Sequence, residues 1–513
     1  MSSQPISSNS AVRQAGDPST SVMAALRSPQ RLKTEVLAGL VVALALIPEA
    51  ISFSIIAGVD PRVGLFASFT MAVTIAIVGG RPAMISAATG AIALVIAPLA
   101  RQYGLDYFVA AVLLAGVFQI VLSVLGVARL MRFIPRSVMV GFVNALAILI
   151  FTSQLPHLLG VPALVYPFVA VGLVIMVFLP KLTTIVPAPL VAIVLLTAAA
   201  IVFSVRIPNV GDEGELPSSL PSLFFPDVPF TWETLTIIAP YALAMALVGL
   251  LESLMTAKLV DDITDTHSNK TREGWGQGVA NVVTGFFGGM GGCAMIGQTM
   301  INVKVSGART RISTFLAGIF LLALVVGLGD IVALIPMAAL VAVMIMVSVG
   351  TMDWHSITPS TLRRMPRSET LVMLATVAVT VATHNLAYGV IVGSLTAMVL
   401  FARRVAHLVT VEKIAESDDE HDGTPDTVVY RVTGELFFAS SNDLVYQFNY
   451  TDDPAHIVID MSGSHIWDAS TVAALDAVTT KYRARGKHVE IVGLNTDSAD
   501  RHDRLSGKLG GGH

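Results

Sequence analysis

Apolar stretches of about 20 residues recur along this chain, and they constrain its fold more than any other feature. An α-helix of that length is what crosses the hydrocarbon core of a bilayer, which is about 30 Å thick. Of the 513 residues, 54% are hydrophobic and only 13% are charged, whereas soluble domains carry about 25% charged residues. The pattern therefore predicts an all-α polytopic membrane domain.

Fourteen such spans are predicted, two of them short. They are 35–56, 62–79, 84–98 (short), 105–127, 134–155, 163–180, 187–205, 233–258, 276–290, 294–305 (short), 312–329, 331–350, 369–385 and 387–402. With fourteen crossings and a cytoplasmic N-terminus, every cluster of Lys and Arg between the spans falls on the cytoplasmic side, as basic loops usually do. Both termini are then predicted to be cytoplasmic.

The two halves of the membrane domain are predicted to be related by inversion. Each half has seven spans, and because seven is odd, the second half enters with the opposite polarity. The tripeptide Ala83-Met84-Ile85 at the third span recurs as Ala294-Met295-Ile296 at the tenth. Transporters with such a 7+7 inverted repeat hold their substrate between broken helices near the bilayer midplane.

The two short spans are candidate half-helices around an anion. Each follows a glycine-rich segment and is too short to cross alone. The N-terminus of a helix presents unpaired N–H groups and a positive dipole end to an anion. Small and hydroxyl-bearing residues at these starts, Ser86, Thr89, Gly297 and Thr299, would let an anion approach closely. The alternative is two re-entrant packing segments without a ligand.

Two carboxylates stand alone in apolar spans, Glu49 in the first and Glu252 in the eighth. A carboxylate in hydrocarbon is costly, so such residues usually face a cavity or a coupling ion. Thr256 lies one helical turn after Glu252, on the same face. This pair could bind a proton, or could join backbone carbonyls around Na⁺. The alternative for each glutamate is a hydrogen bond inside the bundle.

The composition divides the chain into five parts. We predict a disordered cytoplasmic tail at 1–32, a transmembrane transporter domain at 33–408, an acidic linker at 409–426, a small soluble α/β domain at 427–495 and a disordered tail at 496–513. In the soluble part, strands are predicted at 427–432, 457–460 and 488–492, and an amphipathic helix at 470–485.

Several stretches resemble the SulP anion transporters, the bacterial relatives of mammalian anion exchangers and prestin. The stretches are Gly249-Leu-Leu-Glu-Ser-Leu-Met-Thr256, Gly276-Gln-Gly278, Gly288-Gly289, Asn302-Val-Lys304, Ser306-Gly-Ala-Arg-Thr-Arg311 and Ile47-Pro48-Glu49-Ala50. The later stretches His456-Ile-Val-Ile-Asp-Met-Ser462 and Ile466-Trp-Asp-Ala-Ser470 are similar to the core of a STAS domain.

The resemblance implies a core domain and a gate domain that move like an elevator, an anion site between the third and tenth helices, and a homodimer in the bacterial inner membrane. It links the Glu252 position to coupling with H⁺ or Na⁺. Many members carry Arg after the small residue that opens the tenth helix, where this chain has Gln298. With one positive charge fewer, a weakly charged anion such as bicarbonate is favoured over a doubly charged one.

The sequence thus predicts a secondary transporter of a small inorganic anion, bicarbonate or sulfate, driven by H⁺ or Na⁺. Ser86, Thr89, Gly297, Gln298 and Thr299 are expected to bind the anion; the expected coupling-ion residues are Glu252, Thr256 and Glu49. No motif of an enzyme is found, and neither a nucleic-acid partner nor a cofactor other than Na⁺ is expected. The alternatives are an uncoupled channel or voltage sensor of the same fold, a nucleobase–proton symporter, and a scaffold that only displays its STAS domain.

Overall fold

The computed structural model describes residues 20–126, 134–182, 187–406, 409–417, 426–441 and 444–508. The chain divides into two compact units, Met1–Ser394 and Leu395–His513. The boundary falls inside a helix, Leu386–Ala406. The first unit holds the apolar spans, and the second holds the soluble α/β part.

Helices make up nearly all of the regular structure in the first unit. In chain order they are α1 (Val22–Leu26), α2 (Pro29–Ala57), α3 (Pro61–Val78), then strand β1 (Ser86–Ala88), α4 (Gly90–Val124), α5 (Arg136–Ser153), α6 (Val165–Leu182), α7 (Ala188–Val202), α8 (Trp232–Thr264), α9 (Lys270–Phe286), strand β2 (Gly292–Ala294), α10 (Ile296–Met300), α11 (Arg311–Gly327), α12 (Gly329–Ala333), α13 (Met337–Thr351), α14 (Pro359–Arg364), α15 (Arg367–Thr383) and α16 (Leu386–Ala406).

A helical segment overlaps every predicted span, so the mostly helical fold is confirmed. Within the described residues, seven helices are long and apolar enough to cross a membrane by themselves. α4 is unusual because its 35 residues would extend about 52 Å, well beyond the bilayer core. Gly104, with φ 83° and ψ −174°, breaks it into two helices, which fall on the third and fourth predicted spans. The count of fourteen crossings and the inverted repeat stay predictions.

Close contact between α4 and α9 depends on two glycines that face each other. A Cβ atom on Gly116 would lie 2.7 Å from the carbonyl oxygen of Gly278, and one on Gly278 would lie 2.6 Å from the carbonyl oxygen of Gly116. Small residues at helix interfaces let membrane helices approach this closely. The pair therefore fixes α9 against α4, beside the two short strands.

Three predicted domain boundaries differ from the structure. Ser21 caps α1, and Pro29 begins α2, so helix occupies part of the predicted tail at 1–32. A strand covers 410–417 of the predicted linker, where it pairs with the next strand. A helix covers 496–505, and the side chain of Asn495 caps it. Within these predicted tail and linker segments, residues 1–19, 418–425 and 509–513 lie outside the described residues.

The second unit contains a four-stranded sheet. Its elements are β3 (Thr410–Ser417), β4 (Thr427–Leu436), α17 (Phe438–Ser441), β5 (His456–Ile466), α18 (Ala469–Arg483), β6 (His488–Val492) and α19 (Thr496–Leu505). The strands lie in the order β3-β4-β5-β6; β3 pairs antiparallel with β4, and the other pairs are parallel. The predicted strands and helix of this region are confirmed in position.

A buried carboxylate organises the core of the second unit. Alternate residues of β4, namely Val428, Tyr430 and Val432, are buried, as expected for a strand with one face on the core. The Tyr430 and Tyr482 hydroxyls donate hydrogen bonds to Asp453, at 2.9 Å and 2.5 Å. Burial, together with this carboxylate, raises the pKa of Tyr430 above its ordinary value, so the hydroxyl keeps its proton to a higher pH than a free tyrosine does.

The glycine contact between α4 and α9 predicts a stability effect. In the Gly278→Ala variant, the added methyl group would overlap the backbone of α4, and overpacking of this kind costs about 1–3 kcal/mol. We expect a lower midpoint of thermal unfolding in detergent. Gly327→Ala is the matched control, because a Cβ there meets nothing within 4 Å. Equal midpoints for the two variants would contradict the proposed role of the contact.

Candidate functional site

The two short predicted half-helices meet, but each begins as a strand. β1 and β2 pair antiparallel, with Ser86 opposite Ala294 and Ala88 opposite Gly292. Helix therefore starts later than predicted, at residues 90 and 296. The pairing gives the backbone groups of both segments partners inside the protein, which non-helical backbone in a membrane needs. Gly292 has no room for a Cβ, which would lie 2.2 Å from the carbonyl oxygen of Ala87.

Each strand leads directly into a helix. Thr89 is the N-cap of α4, where its hydroxyl oxygen accepts a hydrogen bond from the N–H of Ile92 at 3.4 Å. α10 begins at Ile296 and continues as a π-helical segment, Ile301–Val305. Because the strands are antiparallel, the two helices leave the ribbon from opposite ends. The first residues of both helices nevertheless line one cavity.

A cavity of about 430 Å³ lies at these helix starts. One part of its wall is formed by the first residues of α4 and α10 together with Glu49 of α2 and Glu252 of α8. The other part is apolar and comes mainly from α5 and α13. Its apolar residues are Phe142, Val143, Leu146, Ile150 and Val347. One wall of the cavity is therefore polar and carries unpaired helix N–H groups. The other wall is mostly apolar.

Glu252 is held by a neighbour that the sequence analysis did not assign to the site. The thiol of Cys293, on β2, donates a hydrogen bond to Oε2 of Glu252 at 2.9 Å. The same sulfur lies 3.2 Å from the Thr89 hydroxyl. Cys293 is the single cysteine of the chain, and it is completely buried. A sulfur atom therefore connects the start of α4 to the carboxylate on α8.

Glu49 has a different partner. It follows Pro48, which lies inside α2 and cannot donate to the backbone carbonyl one turn earlier. Nε2 of Gln298 donates a hydrogen bond to Oε1 of Glu49 at 2.9 Å. Oε1 of Gln298 is buried and accepts no hydrogen bond from the described residues. The two predicted residues thus bind one another beside the cavity.

The structure brings together four of the predicted site residues at the cavity wall, namely Thr89, Gly297, Glu49 and Glu252. Gln298 reaches the site through Glu49. The remaining three, Ser86, Thr299 and Thr256, are fully buried and do not line the cavity.

Hydrogen bonds to neighbouring chain segments hold those three hydroxyls. Ser86 accepts from Gln277 at 2.6 Å, and Thr299 accepts from the N–H of Ile85 at 3.0 Å. The Thr256 hydroxyl donates to the backbone carbonyl of Glu252 at 2.8 Å. Thr299 therefore binds the backbone of the other broken segment, Ser86 binds a side chain of α9, and the Thr256 hydroxyl is satisfied within its own helix.

A polar stripe on α9 was missed as part of the site. Glu273, Gln277 and Asn281 are four residues apart, so they lie along one face of the helix. The Glu273 carboxylate accepts hydrogen bonds from the N–H groups of Gly80 and Arg81 at 2.7 and 2.9 Å. Gln277 holds Ser86 of β1. The i, i+4, i+8 spacing of polar residues in an apolar region was the signal that could have revealed it.

The Asn281 side chain forms hydrogen bonds with both the N–H and the carbonyl of Gly292, on β2. Its Oδ1 accepts from the N–H of Gly292 at 2.8 Å, and its Nδ2 donates to the carbonyl of Gly292 at 3.0 Å. Nδ2 also donates to Gln119 of α4 at 2.8 Å. α9 thus fastens both strands of the broken segments to the helical scaffold.

The cavity has no cationic side chain among the described residues that line it, but it has two carboxylates. Attraction for an anion must therefore come from helix N–H groups and neutral donors. A cavity between two helix starts, in a multispan helical domain, is typical of membrane transporters, and this is the class to which the fold and the site assign the protein.

Comparisons with known proteins specify the family. The sulfate permease family matches residues 32–178 and 163–376, and the STAS domain matches 420–506. The chain is 52% identical over 467 residues to the putative sulfate transporter YbaR of Bacillus subtilis (strain 168), covering 91% of this chain and 95% of that one. The chain belongs to the sulfate permease family and carries a C-terminal STAS domain.

Two solved structures are similar in fold. The overall structure of SLC26A9 matches with a TM-score of 0.77 at 15% identity, covering 92% of this chain and 86% of that one. The transmembrane domain of the cyanobacterial bicarbonate transporter BicA matches with a TM-score of 0.62 at 26% identity, covering 70% of this chain and 98% of that one. These matches support the fold class predicted from the sequence.

The α9 stripe predicts a selective effect on the site. In the Asn281→Ala variant, the buried backbone groups of Gly292 lose their partners, at a cost of about 1–3 kcal/mol. We expect lower thermal stability and weaker anion binding, because β2 leads into α10.

The matched control is Asn144→Ala, which removes comparable buried hydrogen bonds to Ser356 and Asp353. We expect it to lower stability without the same loss of anion affinity. Thermal unfolding and anion titration in detergent measure the two effects. Equal losses of affinity in both variants would contradict a specific role for Asn281.

Proposed function

We propose that this protein is a secondary active transporter that moves a small inorganic anion, bicarbonate or sulfate, with protons across the bacterial cytoplasmic membrane. The observation that carries the proposal is the cavity between the starts of α4 and α10, with Glu252 in its wall. Relatives named as a putative sulfate transporter and a bicarbonate transporter support the two candidate anions.

Between these anions, the charges at the cavity favour bicarbonate. Two carboxylates and no cationic side chain lie among the described lining residues, so a doubly charged anion would meet more repulsion than a singly charged one. The Gln298 amide donates a hydrogen bond to Glu49 and carries no charge.

The surroundings of Glu252 favour a proton over Na⁺ as the coupling ion. Hard cations bind to several oxygen atoms at once. One Glu252 oxygen already accepts from a thiol, and Thr256, whose hydroxyl donates to the backbone carbonyl of Glu252, does not line the cavity. Glu252 and Thr256 therefore offer fewer free oxygen atoms at the cavity than a Na⁺ ion needs. A proton needs only one carboxylate oxygen, and the Glu252 carboxylate lies in the cavity wall.

The anion would cross the membrane by a movement of the polar part of the cavity wall against the apolar part. We propose that α2, α4, α8 and α10 carry the anion as a core, and that α5 and α13 belong to a gate along which it slides. An apolar wall suits this motion, because it makes no hydrogen bonds that must break. The elevator motion, the homodimer and the cytoplasmic placement of both termini are parts of the same proposal.

The coupling role predicts the behaviour of Glu252→Gln. Removing the ionisable group is expected to lower uptake driven by a pH gradient at least tenfold, since the variant can no longer gain and lose a proton. The test measures labelled bicarbonate and sulfate uptake into proteoliposomes with imposed pH or Na⁺ gradients. Glu233→Gln, on an exposed residue of the same helix, is the matched control.

Three outcomes would contradict parts of the proposal. Proton-driven uptake by Glu252→Gln would exclude the coupling role. Uptake driven only by Na⁺ would exclude the proton. Anion currents in the unmodified protein that ignore both gradients would indicate a channel.

The missing positive charge predicts the behaviour of Gln298→Arg. A guanidinium beside the cavity would add a charged donor, and we expect the ratio of sulfate to bicarbonate affinity to rise about tenfold. Gln298→Met is the control, since it changes the shape without adding charge. Competition of each anion for uptake gives the ratio. An equal change in both variants would show that charge at residue 298 does not set the preference.

A further inference from the structure

The three polar groups at Thr89, Cys293 and Glu252 form a continuous hydrogen-bonded chain between the anion cavity and the carboxylate. They lie on three different elements, at the start of α4, on β2 and on α8. The distances are 3.2 Å from the Thr89 hydroxyl to the sulfur and 2.9 Å from the sulfur to Glu252 Oε2. Thr89 and Glu252 both line the cavity, whereas Cys293 lies behind them.

The hydrogen atoms of this chain have one arrangement when Glu252 is ionised. The carboxylate can only accept, so the thiol proton is directed to it. The sulfur then accepts the proton of the Thr89 hydroxyl. Thr89 also accepts from the N–H of Ile92, as an N-cap does. In this state the Thr89 proton is committed to sulfur and is not offered to an anion in the cavity.

We propose that Cys293 is a positioning residue that transmits the protonation of Glu252 to the anion site through Thr89. When Oε2 of Glu252 binds a proton, the carboxyl O–H donates to the sulfur. The S–H bond rotates toward Thr89, and the Thr89 O–H bond rotates into the cavity and donates to the anion. One proton enters at Glu252 and no other bond forms or breaks. The inference rests on the proposed proton coupling.

The hydrogen-bonded chain determines the direction in which anion affinity changes with pH. Acid pH protonates Glu252, frees the Thr89 donor and strengthens anion binding; the gain is lost as the pH rises. Anion and proton then bind better together than apart, which is the reciprocity that a symporter requires. Na⁺ at the carboxylate could not reverse the chain, because it has no hydrogen to donate.

Few other ionisable groups face Glu252 from the elements around it. Glu49 lies at the same cavity, and Cys293 is the ionisable residue of β2. In α4 the first ionisable residue is Arg101, beyond Pro98, and in α9 none follows Glu273, which is bound to Gly80 and Arg81. β1, α10 and α13 carry none. Apart from its own place in the cavity wall, the Glu252 side chain has one hydrogen-bonded route to Thr89 among the described residues, and it passes through the sulfur.

The role of the hydrogen-bonded chain is tested by measuring how anion affinity depends on pH in variants of Cys293. At each pH from about 6 to about 8, uptake of labelled anion by the full-length protein in proteoliposomes is measured over a series of concentrations of free bicarbonate or sulfate, which gives KM. In the unmodified protein we expect KM to rise with pH, by up to about tenfold per unit for one linked proton. Cys293→Ala and Cys293→Val remove the link, so we expect their KM to change less than about twofold over the same range.

Cys293→Ser is the conservative control, because a hydroxyl both donates and accepts, and we expect it to restore the pH dependence. A residue that only filled space would be replaced better by valine than by serine, so the order of the variants separates the two roles. An unchanged pH dependence in both Cys293→Ala and Cys293→Val would overturn the inference while leaving proton-driven transport intact. Failure of the unmodified protein to take up either anion would instead overturn the proposed function.

Discussion

The pairing of β1 with β2 is the interaction on which the site depends. A chain that leaves the helical conformation within a membrane must find partners for its backbone groups, and each missing partner costs several kcal/mol. Here each broken segment pairs with the other, Ser86 opposite Ala294, and Asn281 of α9 binds both backbone groups of Gly292. Two helix starts can therefore face a cavity without leaving the strands before them unsatisfied.

The cavity proposed to bind the anion is lined by two carboxylates and, among its described residues, by no cationic side chain. Under the proposed function, attraction for the anion comes from neutral donors and helix starts, and a proton on Glu252 removes one of the two negative charges that oppose it. Electrostatics then acts in the same direction as the hydrogen bonds through Cys293.

The sequence predicts the fold well where a single physical signal dominates. Length and apolarity place the helices, and a lone carboxylate in hydrocarbon identifies Glu252 and Glu49 as lining residues. The start of helix at 90 rather than 84 was not predictable, because pairing of Ser86 with a residue more than 200 positions away decides it. For the same reason Ser86 and Thr299 were predicted to line the cavity, although Ser86 binds the Gln277 side chain and Thr299 binds the backbone of Ile85. Cys293 was not predicted as a site residue, because a buried cysteine usually behaves as a small apolar residue. Its short distance to Glu252, which the sequence does not show, indicates its role.

The edge position of β3 has a practical consequence for the soluble part. β4 pairs with β3 on one side and β5 on the other, so a fragment that began at 427 would leave one side of β4 bare. Unpaired edges of this kind recruit strands from other molecules and aggregate. A fragment that ended before 496 would lose the helix whose Ser498 accepts from the N–H of Ile466 at 2.9 Å. Expression of a well-behaved isolated domain therefore requires both flanks that lie outside its most recognisable strands.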